Sequence, residues 1–419
     1  MKKLFAAFLA VALSVAVFVG CSKEPQPVTL KSVIGSEDSI QGRAGVCVPY
    51  DALSDEARMD LVCREYNSIT CENEMKPESI LGQTPTFSNE VDAYGNKIPE
   101  LDFTRADAIL DYILDYNSKN PKDQILVRGH VLVWHSQTPT WFFREGYSAT
   151  GDYVTPDEML YREEWYIKSV IEHFDGEDSS YHGLIYAWDV VNEQIEPGDR
   201  RSDTNPDSLR LKHNGQPTDW YQVFQGDDAY ITQAFVFANK YAPATVKLFY
   251  NDYNDSNMPK ARAICQLIEK IKATDGARID GMGMQGHYGI DWDYAINIEK
   301  ALRLYSEVVD EVQITELDLQ TGSQYDGYHY EEEYERQAKW YELFFNMIAR
   351  LDHEDGIDVT AVTFWGTHDS VSWLNQSSSV GGGANGSRDQ MPLLFDKDMN
   401  KKPAYYVVTG TQPEAVEAA

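Results

Sequence analysis

The sequence is short of positive charge. Its 419 residues include 36 Lys and Arg against 67 Asp and Glu, which gives a formal net charge of -31 at pH 7. A surface of this sign repels phosphate backbones and anionic lipid headgroups. We therefore expect no nucleic-acid partner, whereas a neutral substrate would not be repelled.

Cysteine is also scarce. The four cysteines that follow Cys21 in the sequence are Cys47, Cys63, Cys71 and Cys265. Their spacing matches no metal site, and no His and Asp cluster with ligand spacing is present, so we expect neither a metal nor a cofactor. Buried thiols are the expected state of these four. An oxidising location would still allow one disulfide, for which Cys47 and Cys71 are the first pair to inspect.

Long apolar runs are absent except at the N-terminus. Two lysines precede the almost unbroken apolar residues 4–20, and the residues from Phe18 to Cys21 resemble a bacterial lipobox. We interpret residues 1–20 as a lipoprotein signal peptide and Cys21 as the lipidated residue. An uncleaved membrane anchor is the alternative, although the run is slightly short for a span. In both cases we expect the protein to be exported and attached to a bacterial membrane, namely the outer membrane. The sequence does not indicate whether the protein faces the periplasm or the cell surface.

Linker-like sequence is confined to one segment. Residues 21–43 are polar, contain two prolines and lack periodicity, which is typical of a flexible tether. No second segment of this kind follows. We therefore predict one catalytic domain over residues 44–410 and a frayed tail over 411–419, and we expect a monomer whose only membrane contact is the lipid.

Short apolar runs alternate with longer helical patterns. The predicted strands are residues 45–48, 68–71, 125–130, 184–191, 246–251, 281–285, 312–315 and 359–364. Helices are predicted over 105–117, capped by Thr104 and Asp107, and over 331–351, with a buried stripe of Ala338, Tyr341, Phe345 and Ile348. Eight such units predict a closed (β/α)8 TIM barrel with its site at the carboxyl ends of the strands. A doubly wound open sheet is the alternative, but the glycine-rich phosphate loop that it requires is missing.

Two glutamates follow predicted strands. Glu193 comes directly after the fourth predicted strand and Glu316 after the seventh. A single glutamate in such a position is more often a solvated loop residue, but two on one face of a barrel form a more specific pattern. Glycosidic bonds are normally broken by two carboxyl groups, one protonating the leaving oxygen and one attacking the sugar or activating water. The pair therefore predicts glycoside hydrolysis.

Seven segments resemble glycoside hydrolase family 10, the endo-β-1,4-xylanases, over essentially all of residues 44–406. In chain order they are CENEMK (71–76), RGHVLVWHSQTP (128–139), WDVVNE (188–193), NDYN (251–254), GMGMQGH (281–287), ITELD (314–318) and WG (365–366). The resemblance implies internal cutting of xylan or xylo-oligosaccharides with retention of configuration. It makes Glu193 the acid/base and Glu316 the nucleophile.

The resemblance also implies supporting residues. His287 looks like the hydrogen-bond donor to Glu316, with Asp318 holding its imidazole, and its place beside Gln285 favours this role over that of a structural histidine. Asn192 resembles the residue that bonds the sugar 2-hydroxyl. The remaining groove residues are His130, Trp134 and Gln137 around the cleaved sugar, Glu72, Asn73 and Lys76 in the next glycone subsite, Trp365 and Trp373 as an aromatic lid, and Tyr253 on the leaving side.

Two alternatives stay open. A lipid-anchored glycan-binding protein on a hydrolase scaffold would keep the aromatic residues and lose a carboxylate, but both glutamates are present. A glucanase acting on β-1,4 or mixed linkages would keep the pair. Gln137 and Trp365 resemble residues that crowd the hydroxymethyl group of glucose, which favours xylan.

Residues 376–387, with three consecutive glycines, are predicted to form a mobile loop beside the lid.

Overall fold

The chain is described by a computed structural model. It describes residues 27–36, 39–201, 204–291, 295–322, 325, 328–376 and 389–413. The predicted signal peptide, Cys21, residues 377–387 of the predicted mobile loop and the last residues of the tail lie outside the described residues.

Eight parallel strands form the centre of the fold, each close to a predicted run. They are β1 (Arg43–Val48), β2 (Ser68–Cys71), β3 (Leu126–Trp134), β4 (Ile185–Asn192), β5 (Lys247–Asp252), β6 (Gly281–Met284), β7 (Glu311–Gln320) and β8 (Val359–Phe364). Each strand pairs with the next one along the chain, and β8 pairs with β1. The sheet therefore closes, and the predicted (β/α)8 barrel is confirmed.

One principal helix follows each strand and covers the barrel. These helices are α1 (Glu56–Glu65), α2 (Thr104–Lys119), α3 (Pro156–Asp175), α4 (Ala229–Tyr241), α5 (Met258–Ala273), α6 (Ala295–Ser306), α7 (Tyr330–Asp355) and α8 (Pro403–Thr409). The loops carry the short helices Pro77–Leu81, Asp219–Phe224 and Trp373–Gln376, the 3-10 turns Tyr50–Ser54, Thr140–Phe143, Glu145–Tyr147, Pro197–Asp199 and Asp369–Val371, and two hairpins, Phe87–Val91 with Lys97–Pro99 and Lys212–His213 with Gln216–Pro217.

The helix predictions are confirmed in extent but not in capping. The predicted stripe of α7, from Ala338 to Ile348, is buried. In contrast, Thr104 is already inside α2 and does not cap it, so the predicted cap is wrong. The backbone N–H of Thr104 instead donates to Oδ1 of Asp102 at 2.9 Å. Asp102 lies one position before the N-cap residue Phe103.

The folded part begins earlier than the predicted tether allows. Residues 30–34 form a short helix in which Leu30 and Ile34 are fully buried. The backbone N–H of Leu30 donates to Glu65 at 3.2 Å, and Lys31 pairs with Asp123 at 2.6 Å. Residues 30–34 therefore pack on the barrel, whereas a flexible tether was predicted as far as residue 43.

The four cysteines of the described residues are buried free thiols, so the disulfide left open by the sequence is not formed between Cys47 and Cys71. Within the described ranges, no helix is long and apolar enough to cross a membrane.

Candidate active site

An open groove of about 550 Å³ crosses the carboxyl ends of the strands. All fifteen residues predicted from the sequence line it: Glu72, Asn73, Lys76, His130, Trp134, Gln137, Asn192, Glu193, Tyr253, Gln285, His287, Glu316, Asp318, Trp365 and Trp373. Six further lining residues were not predicted: His135, His213, Asn254, Tyr288, Gln320 and Leu374. The groove brings together side chains from seven of the eight strands or the loops that follow them.

Glu193 follows the last residue of β4 and has a left-handed backbone, with φ of 59°. That conformation is uncommon for a residue with a side chain and is typical of functional sites. Its carboxyl Oε1 accepts hydrogen bonds from Gln285 Nε2 at 2.9 Å and from Asn192 Nδ2 at 3.2 Å. Oε2 lies 3.9 Å from Nε2 of His135. Glu193 is therefore held at the groove by two neutral amides.

Glu316 lies inside β7, where the pairing with β8 shifts register between Ile314 and Leu317. Such irregularities re-aim side chains beside active sites. Its carboxyl is buried and accepts hydrogen bonds from Asn251 Nδ2 at 2.9 Å and His287 Nε2 at 3.2 Å. Burial alone would raise the pKa of Glu316, but the hydrogen bond from His287 and the nearby positive charges outweigh it and lower the pKa. Glu316 therefore stays ionised at neutral pH.

His287 is fixed between two carboxylates. Its Nδ1 lies 3.0 Å from Oδ1 of Asp318, and its Nε2 lies on Glu316. The indole of Trp373 donates to the other oxygen of Asp318 at 2.6 Å and packs on the imidazole with ring centroids 4.9 Å apart. Burial lowers the pKa of His287, but the charges of Asp318 and Glu316 prevail and raise it to about 10. The imidazole is therefore a cation over the whole neutral range.

A row of amides connects the two glutamates. Nδ2 of Asn251 donates to Glu316 and, at 3.0 Å, to Oδ1 of Asn192. Gln285 bridges Asn192 and Glu193 from the other side. The hydroxyl of Thr315 donates to Oδ1 of Asn251 at 2.7 Å, so this fully buried amide has every polar atom engaged. Rotation of one amide would therefore disturb the contacts of both carboxyl groups.

Asn251 itself was not among the predicted site residues. Its segment was recognised as part of a motif, but its position inside an apolar strand resembles that of a structural residue. The available signal was its burial on a strand, because a buried amide needs partners for its polar atoms.

The floor of the groove rests on a buried ion pair. The guanidinium of Arg128 makes two contacts with the Asp189 carboxylate, one of them at 2.6 Å. Oδ2 of Asp189 also lies 2.9 Å from Nδ1 of His130, whose ring meets Trp365 edge-on at 5.7 Å. All of these side chains are buried. Asp189 therefore fixes the orientation of the His130 imidazole, as Asp318 does for His287.

The predicted glycone end is built around a buried lysine. Nζ of Lys76 donates to Oδ1 of Asn73 at 3.1 Å and lies 5.2 Å from the ring centre of Trp134. Burial lowers the pKa of Lys76, against the opposing charges of Glu316, Glu72 and Glu193. A lysine held in this way presents its remaining donors in fixed directions, which suits sugar hydroxyls.

The opposite end contains residues that only the folded chain brings together. Tyr253 accepts a hydrogen bond from Arg210 at 2.8 Å, and Nε of Arg210 donates to the Glu193 carbonyl at 2.7 Å. His135 and His213 meet at 3.2 Å between ring nitrogens. Arg210 and His213 belong to the loop after β4, which contains no local motif that would single them out as site residues.

A closed (β/α)8 barrel that presents two carboxyl groups and three tryptophans on one open groove defines a glycoside hydrolase. The chain belongs to glycosyl hydrolase family 10, whose family model matches residues 36–411. Endo-1,4-beta-xylanase A of Caldicellulosiruptor sp. (strain Rt8B.4) is 34% identical over 370 residues, which cover 87% of this chain and 45% of that protein. The chain spans 32% to 45% of the length of such curated relatives.

Solved structures agree with this assignment. The N-terminal endo-1,4-beta-D-xylanase 10B of Clostridium thermocellum, in complex with xylohexaose, has 32% identity and a TM-score of 0.75, covering 93% of this chain and 68% of that one. The intracellular xylanase of Thermoanaerobacterium saccharolyticum JW/SL-YS485 also has 32% identity, with a TM-score of 0.70, and covers 92% of this chain and 99% of that one.

Proposed function

We propose that this chain cuts β-1,4-linked xylan internally and with retention of configuration, with Glu193 as acid/base and Glu316 as nucleophile. The observation that carries the proposal is the contrast between the two carboxyl groups on one groove. Glu316 is buried against a histidine cation and has a lowered pKa, whereas the carboxyl group of Glu193, among the described residues, accepts hydrogen bonds from neutral amides alone. A retaining glycosidase needs this division between an ionised nucleophile and a carboxyl group that can carry a proton.

In the first step Glu193 gives its proton to the glycosidic oxygen while an oxygen of Glu316 attacks the anomeric carbon. The bond to the leaving sugar breaks, and an ester forms between the retained sugar and Glu316. Hydrogen bonds from His287 and Asn251 fix the plane of the attacking carboxylate. The amide of Asn192 is the donor for the sugar 2-hydroxyl, a contact that strengthens as the ring flattens.

In the second step the ionised Glu193 takes a proton from water as the water attacks the same carbon. The ester bond to Glu316 breaks, which restores both carboxyl groups and the original configuration. The network around Asn251 supports both steps, because it keeps the glutamates in register while their charges change.

The shape of the groove supports internal cutting of a polymer. It continues past the glutamates in both directions, toward Lys76 and Asn73 on one side and toward Tyr253 and Asn254 on the other. Sugars can therefore bind on both sides of the broken bond. The relatives described above carry xylanase names, and one was solved with xylohexaose, which supports xylan as the polymer.

Product analysis tests the proposal directly. The protein would be incubated with xylan, arabinoxylan and mixed-linkage β-glucan, and the soluble products would be sized over time. We expect a mixture of short xylo-oligosaccharides from the first minutes, and no products from Glu316→Ala in the same assay. Release of xylose alone would refute internal cutting, and faster turnover of β-glucan would refute the choice of polymer.

A further inference from the structure

A second cavity adjoins the glycone end of the groove. It has a volume of about 390 Å³ and shares Glu72 and Asn73 with the groove. The rest of its lining includes Asp51, Arg58 and Arg105, from the 3-10 turn after β1, from α1 and from α2. If a polymer backbone lies in the groove, a branch on one of its glycone sugars can reach this cavity without crossing the catalytic centre.

Arg58 is the unusual residue of this cavity. Its exposed fraction is 4%, and Nε donates to the hydroxyl of Thr367 at 2.9 Å. No carboxylate in the described part of the chain forms an ion pair with its guanidinium. The three other buried arginines of the described residues, Arg128, Arg162 and Arg210, are each paired with a carboxylate. A buried guanidinium without a counter-ion is costly, so Arg58 is an unpaired cation lining a cavity.

None of the three carboxylates that also line the cavity forms an ion pair with Arg58. Both oxygens of Glu74 accept backbone N–H groups, from Tyr50 at 2.7 Å and from Asn73 at 3.0 Å. Burial raises the pKa of Glu72, against the lowering effects of the charges of Lys76 and Arg58, but Glu72 forms no ion pair with Arg58. Asp51 is exposed to solvent. The cavity therefore keeps an unpaired donor group although acidic residues surround it.

We propose that this cavity binds the carboxylate of an acidic sugar branch, a uronate, on the substrate backbone. The planar fork of Arg58 offers parallel N–H donors, a geometry that matches a carboxylate better than single hydroxyls. Arg105 is exposed beside it, with its guanidinium 5.6 Å from the ring centre of Tyr50, and adds a second positive charge at the opening. This inference rests on the proposed function, since the branch must be carried by xylan lying in the groove.

Three oligosaccharides test the wild-type protein. They are a linear xylo-oligosaccharide, the same chain with one glucuronic acid branch on a glycone sugar, and its carboxyl-reduced form, in which the branch is neutral glucose. We expect kcat/KM for the acidic branch to exceed that for the reduced branch about tenfold, the effect of one charge-assisted bond. Equal values would overturn the proposal. Failure to cut the linear chain would instead refute the proposed function.

Variants locate the effect. We expect Arg58→Gln to bring the ratio between the two branched substrates close to one, while Arg262→Gln, an exposed arginine of α5, leaves it unchanged. Circular dichroism and a melting curve establish whether Arg58→Gln folds. An unchanged ratio in the folded variant would overturn the proposal. If the variant does not fold, the exposed Arg105→Gln replaces it, and an unchanged ratio there would count against the proposal equally.

Discussion

Removal of His287 should change the pH dependence of catalysis as well as its rate. Glu316 must be ionised to attack, so activity is lost as pH falls through the pKa of this carboxyl. That pKa is lowered, after the opposing effect of burial, chiefly by the hydrogen bond from His287. His287→Ala should therefore raise it, and the acid limb of kcat/KM should move to higher pH. The pKa of His287 is raised to about 10, so this imidazole remains a cation throughout the limb and its own ionisation does not interfere.

The expected size of the rate effect follows from the lost contact. A hydrogen bond to a charged group contributes about 1.5–3 kcal/mol, and each 1.4 kcal/mol corresponds to a factor of ten, so kcat/KM at neutral pH should fall by about 10- to 100-fold. His287→Gln is the matched variant, because its amide can donate without a charge. We expect it to lie between the wild type and His287→Ala in both rate and acid limb.

The assay is kcat/KM on a xylo-oligosaccharide from pH 3 to 9, with folding of each variant checked at the same pH values. The reasoning would be refuted if a folded His287→Ala variant kept the acid limb of the wild type. If kcat/KM falls while the acid limb stays at the same pH, His287 acts on the position of the substrate and has no effect on the ionisation of Glu316.

Three further predictions concern separate parts of the molecule. Glu193→Ala should lose activity on xylan but still form the covalent ester from an aryl xyloside, and added azide should raise turnover and give the β-azide; recovery of the α-azide would contradict retention. Asp189→Asn should lower the free energy of unfolding by about 3–5 kcal/mol, because it leaves Arg128 buried without its partner, whereas Glu299→Gln in a surface ion pair should cost less than about 1 kcal/mol in the same denaturant titration. Deletion up to residue 35 should lower the melting temperature, since it removes Leu30 and Ile34 at about 1.5–3 kcal/mol each, while deletion up to residue 26 should not; equal melting curves would show that the helix contributes nothing.

The barrel could be predicted because its strands are buried on both faces and read as apolar runs. The ends of the strands could not. β7 continues to Gln320, well beyond the predicted residues, because polar side chains alternate with leucines where this strand meets the groove. β3 continues to Trp134 through apolar residues, past the polar His130 at which the predicted strand ended. A pattern that depends on apolar residues stops where the site begins, even though the backbone pairing continues.

The short helix of residues 30–34 was missed for a related reason. Leu30 and Ile34 are its only buried residues, and five residues are too few for a helical period to be recognised. Its position depends on Glu65 and Asp123, which lie far along the chain. The hairpin that carries His213 and the contact between Arg210 and Glu193 are likewise defined by pairings across the fold, which local sequence does not contain.

The proposed roles of the two glutamates follow from the charge of their neighbours, which the motifs alone do not state. Each of two buried aspartates holds a histidine beside the catalytic centre, Asp318 for His287 and Asp189 for His130. Both imidazoles act on Glu316 and help to lower its pKa. Beside Glu193, by contrast, burial lowers the pKa of His135 well below its usual value and keeps the ring neutral. The two imidazoles held by aspartates therefore favour the ionised state of Glu316, the proposed nucleophile, whereas the histidine nearest the carboxyl group of Glu193, the proposed acid/base, carries no charge.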